Sequence, residues 1–335
     1  MGLTAIKGEK DSVGIEKKSM IFKNSFSKVT AEEKALLEEY FDGFDYEASS
    51  YTYIANYIWR DTHHITWEVI GEYLCIAGLG TLETEEEEYF MAMPLTKTGS
   101  YDVKLLRETM TEVEARFKAC GQTLGMGLIP GHLMPVLEEA FGDKLAFERD
   151  RDDDDYIYLR EDLAQLKGRK YHQKKNHLNF FLKNHSYTYE PITKEMVEDV
   201  LVFLEGANED KLEDMAEDWQ EILRLETLAM KQLLDFVEDE RLLTGVVRID
   251  GIIEAVTIGE WARSTNKETV LVHVEKANPS YRGLYQLINW EFCRRLPAET
   301  IYVNREEDMG LENLRQTKLS YRPFKLAEKY SAVVK

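Results

Sequence analysis

His273-Val274-Glu275-Lys276-Ala277-Asn278-Pro279-Ser280-Tyr281-Arg282-Gly283-Leu284-Tyr285 reads as a strand, a short polar turn and the opening of a helix. A helix N-terminus opened by Gly283 presents amides and the positive end of the helix dipole, and Arg282 adds a cationic donor, so this turn is suited to an anion. Upstream lies a hairpin, Val246 to Val256, whose Asp250-Gly251 pair suits a type I′ turn. Helical patterns over Val197 to Leu204 and about Trp219 to Val237 precede it, and the strand Thr269 to Glu275 leads into the turn. Beyond it come the helix Gly283 to Leu296, the strand Thr300 to Val303, the helix Leu311 to Leu319 and a final strand near Ser331.

The first half follows the same order. Thr30 and Glu33 form a capping box ahead of a helix ending near Phe41, and a second helix covers about Ser50 to Trp59. Ile65, Trp67 and Val69 alternate up to Gly71-Glu72, and the alternation resumes at Leu74 and Ile76, a second hairpin. A strand Tyr89 to Leu95, a helix from Val103 to Phe117, a strand Thr123 to Ile129, a helix Leu133 to Phe141 and a strand Tyr156 to Leu159 complete it. The fold class is therefore α+β: two domains in tandem, each a mixed, mainly antiparallel sheet flanked by helices. The bland alternative is an unrelated pair of α+β domains whose order coincides. The expected division is a disordered segment 1–20, a first domain 21–162, a basic linking helix 163–186 and a second domain 187–335.

The 335 residues are 44% hydrophobic and 31% charged, enough for about two domains with cores of their own. A formal charge of -20 repels nucleic acid and anionic lipid on average, so either would need a local basic patch. Cys75, Cys120 and Cys293 are widely spaced, which gives neither a zinc site nor a disulfide framework and reads as buried small hydrophobes. No stretch reaches the roughly 18 apolar residues of a membrane span, and the start lacks an apolar signal core, so a cytoplasmic protein is expected.

Positive charge is gathered between the halves. From Leu163 to Tyr189 there is no acidic residue, while Lys167, Arg169, Lys170, Lys174, Lys175 and Lys183 are joined by His172, His177 and His185. On one helix, Lys167, Lys170 and Lys174 would share a stripe continued by Leu178, Phe181 and Leu182. The lysines either pair with the runs Asp150 to Asp155 and Glu205 to Glu221 or contact a phosphate-rich partner, a nucleotide or an RNA acceptor end. His172 and His177 miss the spacing of helix-borne metal ligands, and no metal site is expected. Trp219 and Trp261 read as core or rim packing.

The element order resembles the GNAT acyltransferase fold, whose acyl carriers sit at the strand-to-helix turn. The usual loop of that family is matched here in part, by Arg282-Gly283-Leu284-Tyr285, without the second small residue. The stretch Val303 to Pro323, with Leu166-Lys167-Gly168-Arg169-Lys170 and Lys174-Lys175-Asn176-His177-Leu178-Asn179-Phe180-Phe181, looks like a family of mostly uncharacterised bacterial proteins. These share a tandem GNAT domain with the C-terminal part of phosphatidylglycerol lysyltransferases. The resemblance covers about residues 21 to 335 and implies two GNAT-like domains with the active cleft toward the second. It also implies a donor that in the lysyltransferases is aminoacyl-tRNA; the expected co-substrate is an acyl-coenzyme A or aminoacyl-tRNA donor, and the incomplete loop favours an aminoacyl carrier or no carrier over acetyl-coenzyme A. No permanently bound cofactor is expected.

Acyl transfer to an amine or hydroxyl needs a base, an oxyanion donor and an acid for the leaving group. His273 and Glu275, two apart on a strand, are expected on one face as a base with its partner, and the resemblance places Tyr321 where GNAT general acids stand. Arg282, Gly283, Lys170, Lys174, Lys175, Arg315 and Lys318 are the expected carrier or anion contacts. Asn304, Arg305 and Asp308, leaving a strand end, are the expected substrate contacts for a small-molecule or lipid-headgroup acceptor. Buried packing and solvated helix faces account for many of these equally well. The competing reading is a non-catalytic protein on the same fold that binds an anionic or amino-acid-bearing ligand.

Overall fold

The computed structural model describes residues 26–44, 48–81, 87–119, 121–149, 151–212, 217–263 and 267–334. The expectations for residues 1–20, for Cys120, for the acidic run from Glu83 and for the side chain of Trp219 lie outside the described residues. Two units form: one from the residues up to Asp154 with Ala327–Lys335, the other Asp155–Leu326.

In the first unit the capping box is present: the Thr30 hydroxyl accepts from the Glu32 amide and the Thr30 amide donates to Glu33, starting α1 (Lys34–Gly43). After α2 (Tyr53–Ile58) come β2 (Thr66–Ile70), β3 (Tyr73–Thr81), β4 (Glu87–Met91), α3 (Val103–Ala119), β5 (Gly125–Pro130), α4 (Met134–Phe141) and β6 (Leu145–Arg149), with β1 (Ser27–Lys28) at the edge. The sheet runs β1-β2-β3-β4-β5-β14-β6, where β14 is Lys329–Val334. All described neighbours are antiparallel except β4 and β5.

The second unit opens with β7 (Asp155–Leu159) and α5 (Arg160–Gln165), then α6 (His172–Asn184), β8 (Thr188–Glu190), α7 (Val197–Leu212) and α8 (Glu217–Leu234). The hairpin β9 (Leu242–Ile249) and β10 (Ile252–Trp261) follows, then β11 (Thr269–Ala277), α9 (Leu284–Arg295), β12 (Tyr302–Asn304), α10 (Glu312–Ser320) and β13 (Lys325–Ala327). Asp250 and Gly251 both take positive φ, +51° and +83°, as a type I′ turn requires. The sheet runs β8-β9-β10-β11-β12-β7-β13. Strand for strand this is the order of the first sheet, so both units are GNAT-like.

The last strands are traded. β7, read from the sequence as closing the first domain, lies between β12 and β13 of the second sheet; β14, read as closing the second, lies between β5 and β6 of the first. The division at Asp154 and Ala327 therefore differs from the expected 162 and 187 boundaries. β7 is drawn there by burial: Tyr156 and Tyr158 join a core with Trp261, Val270, Val272, Phe292 and Val303. The expected linking helix is likewise broken and belongs to the second unit. Leu166 at φ +46° and Gly168 at φ +88° stop α5 before a 3-10 turn, Arg169–Tyr171, leads into α6, so Lys167 does not share a helix stripe with Lys174. Cys75 and Cys293 are buried free thiols.

Candidate functional site

In the second unit, β11 and β12 run parallel over three pairs only, Thr269 with Tyr302, Val270 with Val303 and Leu271 with Asn304. β11 then continues to Ala277 while the chain leaves β12 into a loop, so the sheet opens at the carboxyl ends of its parallel strands, where ligands of such sheets bind. Two ion pairs span this opening, His273 with Glu306 and Glu275 with Arg305.

They lie on opposite faces, contrary to the expectation from spacing. Ile258 pairs with Val274 and Gly259 with Val272, so His273 is an extra residue, a β-bulge. Val272 packs with Phe292 and Cys293 of α9, and Glu275 accepts from Nδ2 of Asn289 on the same helix at 2.9 Å. His273 turns the other way, its Nδ1 2.8 Å from Glu306 and its Nε2 2.9 Å from the fully buried Glu260. Burial opposes charge on the ring, but the hydrogen bonds to Glu260 and Glu306 outweigh it and raise its pKa to about 9. With both nitrogens committed to carboxylates, His273 is a buried cation rather than an available base.

On the α9 face, Glu275 accepts from Arg305 Nη2 at 2.7 Å. The Arg305 guanidinium lies 4.8 Å from the Tyr321 ring centroid and 5.7 Å from that of Tyr158, and its Nη1 is buried without a hydrogen-bond partner. The ammonium of Lys174, from α6, stands 4.1 Å from the same Tyr321 ring, and among the described residues it forms no ion pair. Burial and the Arg305 charge lower the Lys174 pKa to about 8, against the pull of Glu275. Tyr321 is 3% exposed, and burial raises its pKa. Glu275, Arg305, Tyr321 and Lys174, singled out from the sequence for separate reasons, thus form one cluster. Two cations face one carboxylate, leaving a net positive charge and an unpartnered guanidinium nitrogen, an arrangement suited to an anionic oxygen.

The other expected residues are committed to the frame. Asp308 accepts both Arg315 Nε at 2.9 Å and Nη2 at 2.8 Å, together with the Tyr156 hydroxyl and the Gly310 amide. Asn304 donates to Asp155 and accepts from the Glu306 amide. Lys318 is buried, its Nζ donating to the carbonyls of Arg305 at 2.6 Å, Glu306 at 3.0 Å and Glu307. These bonds fix the loop that carries Arg305, so Arg315, Lys318, Asn304 and Asp308 hold the site rather than contact a ligand. Lys170 pairs with Asp162 at 2.8 Å, and Lys175 is exposed on α6. Arg282 lies over the Phe180 ring at 4.6 Å. Gly283, at φ +95°, is required by packing: a Cβ there would stand 2.2 Å from the His177 carbonyl oxygen of α6. Sequence reasoning missed Asn289 and Glu260. A buried acid within the apolar run Ile252–Trp261 was the signal for Glu260, and a polar residue on the apolar face of α9 the signal for Asn289. Among the described residues no group of His, Cys, Asp or Glu is placed to hold a metal, and no helix is long and apolar enough to cross a membrane.

Comparison with known proteins agrees with this architecture. Residues 44–333 match the family described as "Phosphatidylglycerol lysyltransferase, C-terminal". A conserved protein of unknown function from Bacteroides thetaiotaomicron superposes with a TM-score of 0.78 at 29% identity, covering 93% of this chain and 99% of that one. The structure of L-PGS from Bacillus licheniformis superposes with a TM-score of 0.62 at 12% identity over 93% of this chain and 94% of that one, a likeness of fold. An uncharacterized protein, MYCGA3080 of Mycoplasmoides gallisepticum, is 24% identical over 182 residues, 52% of this chain. The match spans 54% of that relative, about half its length.

Proposed function

Because the chain belongs to the phosphatidylglycerol lysyltransferase C-terminal family, we propose that it transfers an acyl or aminoacyl group from an activated carrier to an amine or hydroxyl acceptor at the opening between β11 and β12. The observation that carries this reading is the unpartnered, buried Nη1 of Arg305 beside an ammonium that has no acidic partner of its own among the described residues. Arg305 Nη1 donates to the carbonyl oxygen as it becomes negative. The acceptor nitrogen or oxygen bonds to the carbonyl carbon, and the bond from that carbon to the carrier oxygen breaks. Lys174, charged at the start, gives a proton to the departing oxygen and recovers one from the acceptor; a pKa of about 8 lets it do both near neutral pH. Tyr321 serves as the platform on which both cations rest.

Aminoacyl-tRNA is the favoured carrier. α6 packs against Gly283, at the turn where a coenzyme A pyrophosphate would sit, and ion pairs occupy the gap between the strands. The exposed Lys167, Arg169 and Lys175 offer phosphate contacts in a chain of charge -20. Thermal shift and titration calorimetry with a mixed aminoacyl-tRNA pool, acetyl-coenzyme A and free amino acids test the proposal. Aminoacyl-tRNA should stabilise the protein, and Lys174→Met and Arg305→Lys should each weaken its binding tenfold or more while leaving the unliganded melting temperature within a few degrees. Affinity should also fall as pH rises through about 8, where Lys174 loses its charge. Stabilisation by no carrier would sink the transferase reading; binding without loss of the aminoacyl group, over a range of amine acceptors, would favour the non-catalytic one.

A further inference from the structure

Beside this site the second unit holds a groove of about 810 Å³, within the roughly 300–1,000 Å³ of small-molecule sites. Its walls are Val202 and Phe203 of α7, Ile252 at the tip of the β9–β10 hairpin, the turn after Ala277, and Tyr285 of α9. We infer that this groove takes an amine-bearing molecule with a short apolar segment, and that such a molecule is the acceptor; only the second clause rests on the transferase reading.

Three observations carry the inference. Val202 and Ile252 are each 63% exposed, an apolar surface that a ligand's hydrocarbon segment would remove from water. The charge of the lining is negative. Asp199 and Glu254 face the groove, while its one cation, Arg248, is already engaged by Glu190 at 2.8 Å and by the Gly251 carbonyl at 3.0 Å. An ammonium is therefore attracted and a carboxylate or phosphate repelled, the reverse of the cluster around Arg305. Finally, the groove reaches the reaction centre through Tyr285. Tyr285 lines the groove one helical turn before Asn289, which donates to Glu275 at 2.9 Å, and Ala277 lines it two residues along β11 from Glu275. Carrier and acceptor thus approach from regions of opposite charge.

The test uses the full chain and two probes of equal length and opposite charge, hexylamine and hexanoate, with binding followed by calorimetry in the absence of any carrier. Hexylamine should bind at least tenfold more tightly than hexanoate. Val202→Arg, at an exposed position, and Asp199→Asn should each weaken hexylamine binding tenfold or more with the melting temperature unchanged. Equal binding of the two probes, or Val202→Arg without effect, would overturn the inference. Hexylamine binding that persists in a protein stabilised by no carrier would leave the groove assigned and overturn its role as acceptor site, so the two readings fail separately.

Discussion

A histidine held between two carboxylates behaves unlike a histidine with one free nitrogen. The unfolded ring has a pKa near 6.5, and the folded one, about 9, is higher because Glu260 and Glu306 together overcome the cost of burial. A raised pKa stabilises the fold fully below about 6.5, and that contribution is lost as pH rises through about 9. Lys174 and Lys318, both lowered to about 8 by burial, act in the opposite sense: they penalise folding below about 8, and the penalty is relieved toward the ordinary lysine range. The histidine effect is therefore read as a difference. His273→Gln should cost about 3 kcal/mol relative to the parent at pH 6, from about 1.4 kcal/mol per unit of pKa, and much less at pH 9.5, by urea melts. A cost independent of pH would mean that the ring is uncharged. At this scale the sequence shows which residues carry chemistry but not which way they point. One inserted residue in β11 separates His273 from Glu275, and no local spacing reveals it.

Elements explain residues that composition leaves ambiguous. Gly283 sits at the start of α9 as a phosphate-binding glycine would, yet its lack of a side chain is required by α6 crossing against it. Gly283→Ala should push the helices apart and strain a φ of +95°, costing about 2–4 kcal/mol in denaturant melts. Gly251 gives the contrast, since it is also at positive φ but a Cβ there would meet nothing within 4 Å: Gly251→Asn should cost less than about 1 kcal/mol. Equal costs would show that backbone conformation, not helix contact, sets the requirement. The strand, turn and helix around Gly283 were legible because periodicity and turn chemistry are local. The helix that presses on the glycine lies about a hundred residues earlier in the chain, so its contact was not. The same holds for the cluster: Lys174, Glu275, Arg305 and Tyr321 come from α6, β11, the loop after β12 and the end of α10, and only the fold brings them together.

For the whole molecule, the exchange of β7 and β14 makes each sheet depend on the distant half of the chain. β14 pairs with both β5 and β6, filling an interior position in the first sheet with residues near the end of the chain. Such pairings span roughly two hundred residues, and contacts of long sequence separation are slow to form. The duplicated order was legible from two hairpins and their flanking patterns, but the exchange was not, since either strand satisfies the same apolar alternation. Removing Ala327–Lys335 should leave β5 and β6 with unpaired edges and uncover the core beneath them, which no substitution in the first half can compensate. Hydrogen exchange should then show protection lost across α3, β5 and β6 and kept in β9, β10 and β11, whose partners all remain. A synthetic peptide of residues 327–335 added in trans should restore protection in the first sheet. If β5 and β6 stay protected in the truncated chain without peptide, the first unit closes its sheet unaided, and the exchange adds no dependence between the halves.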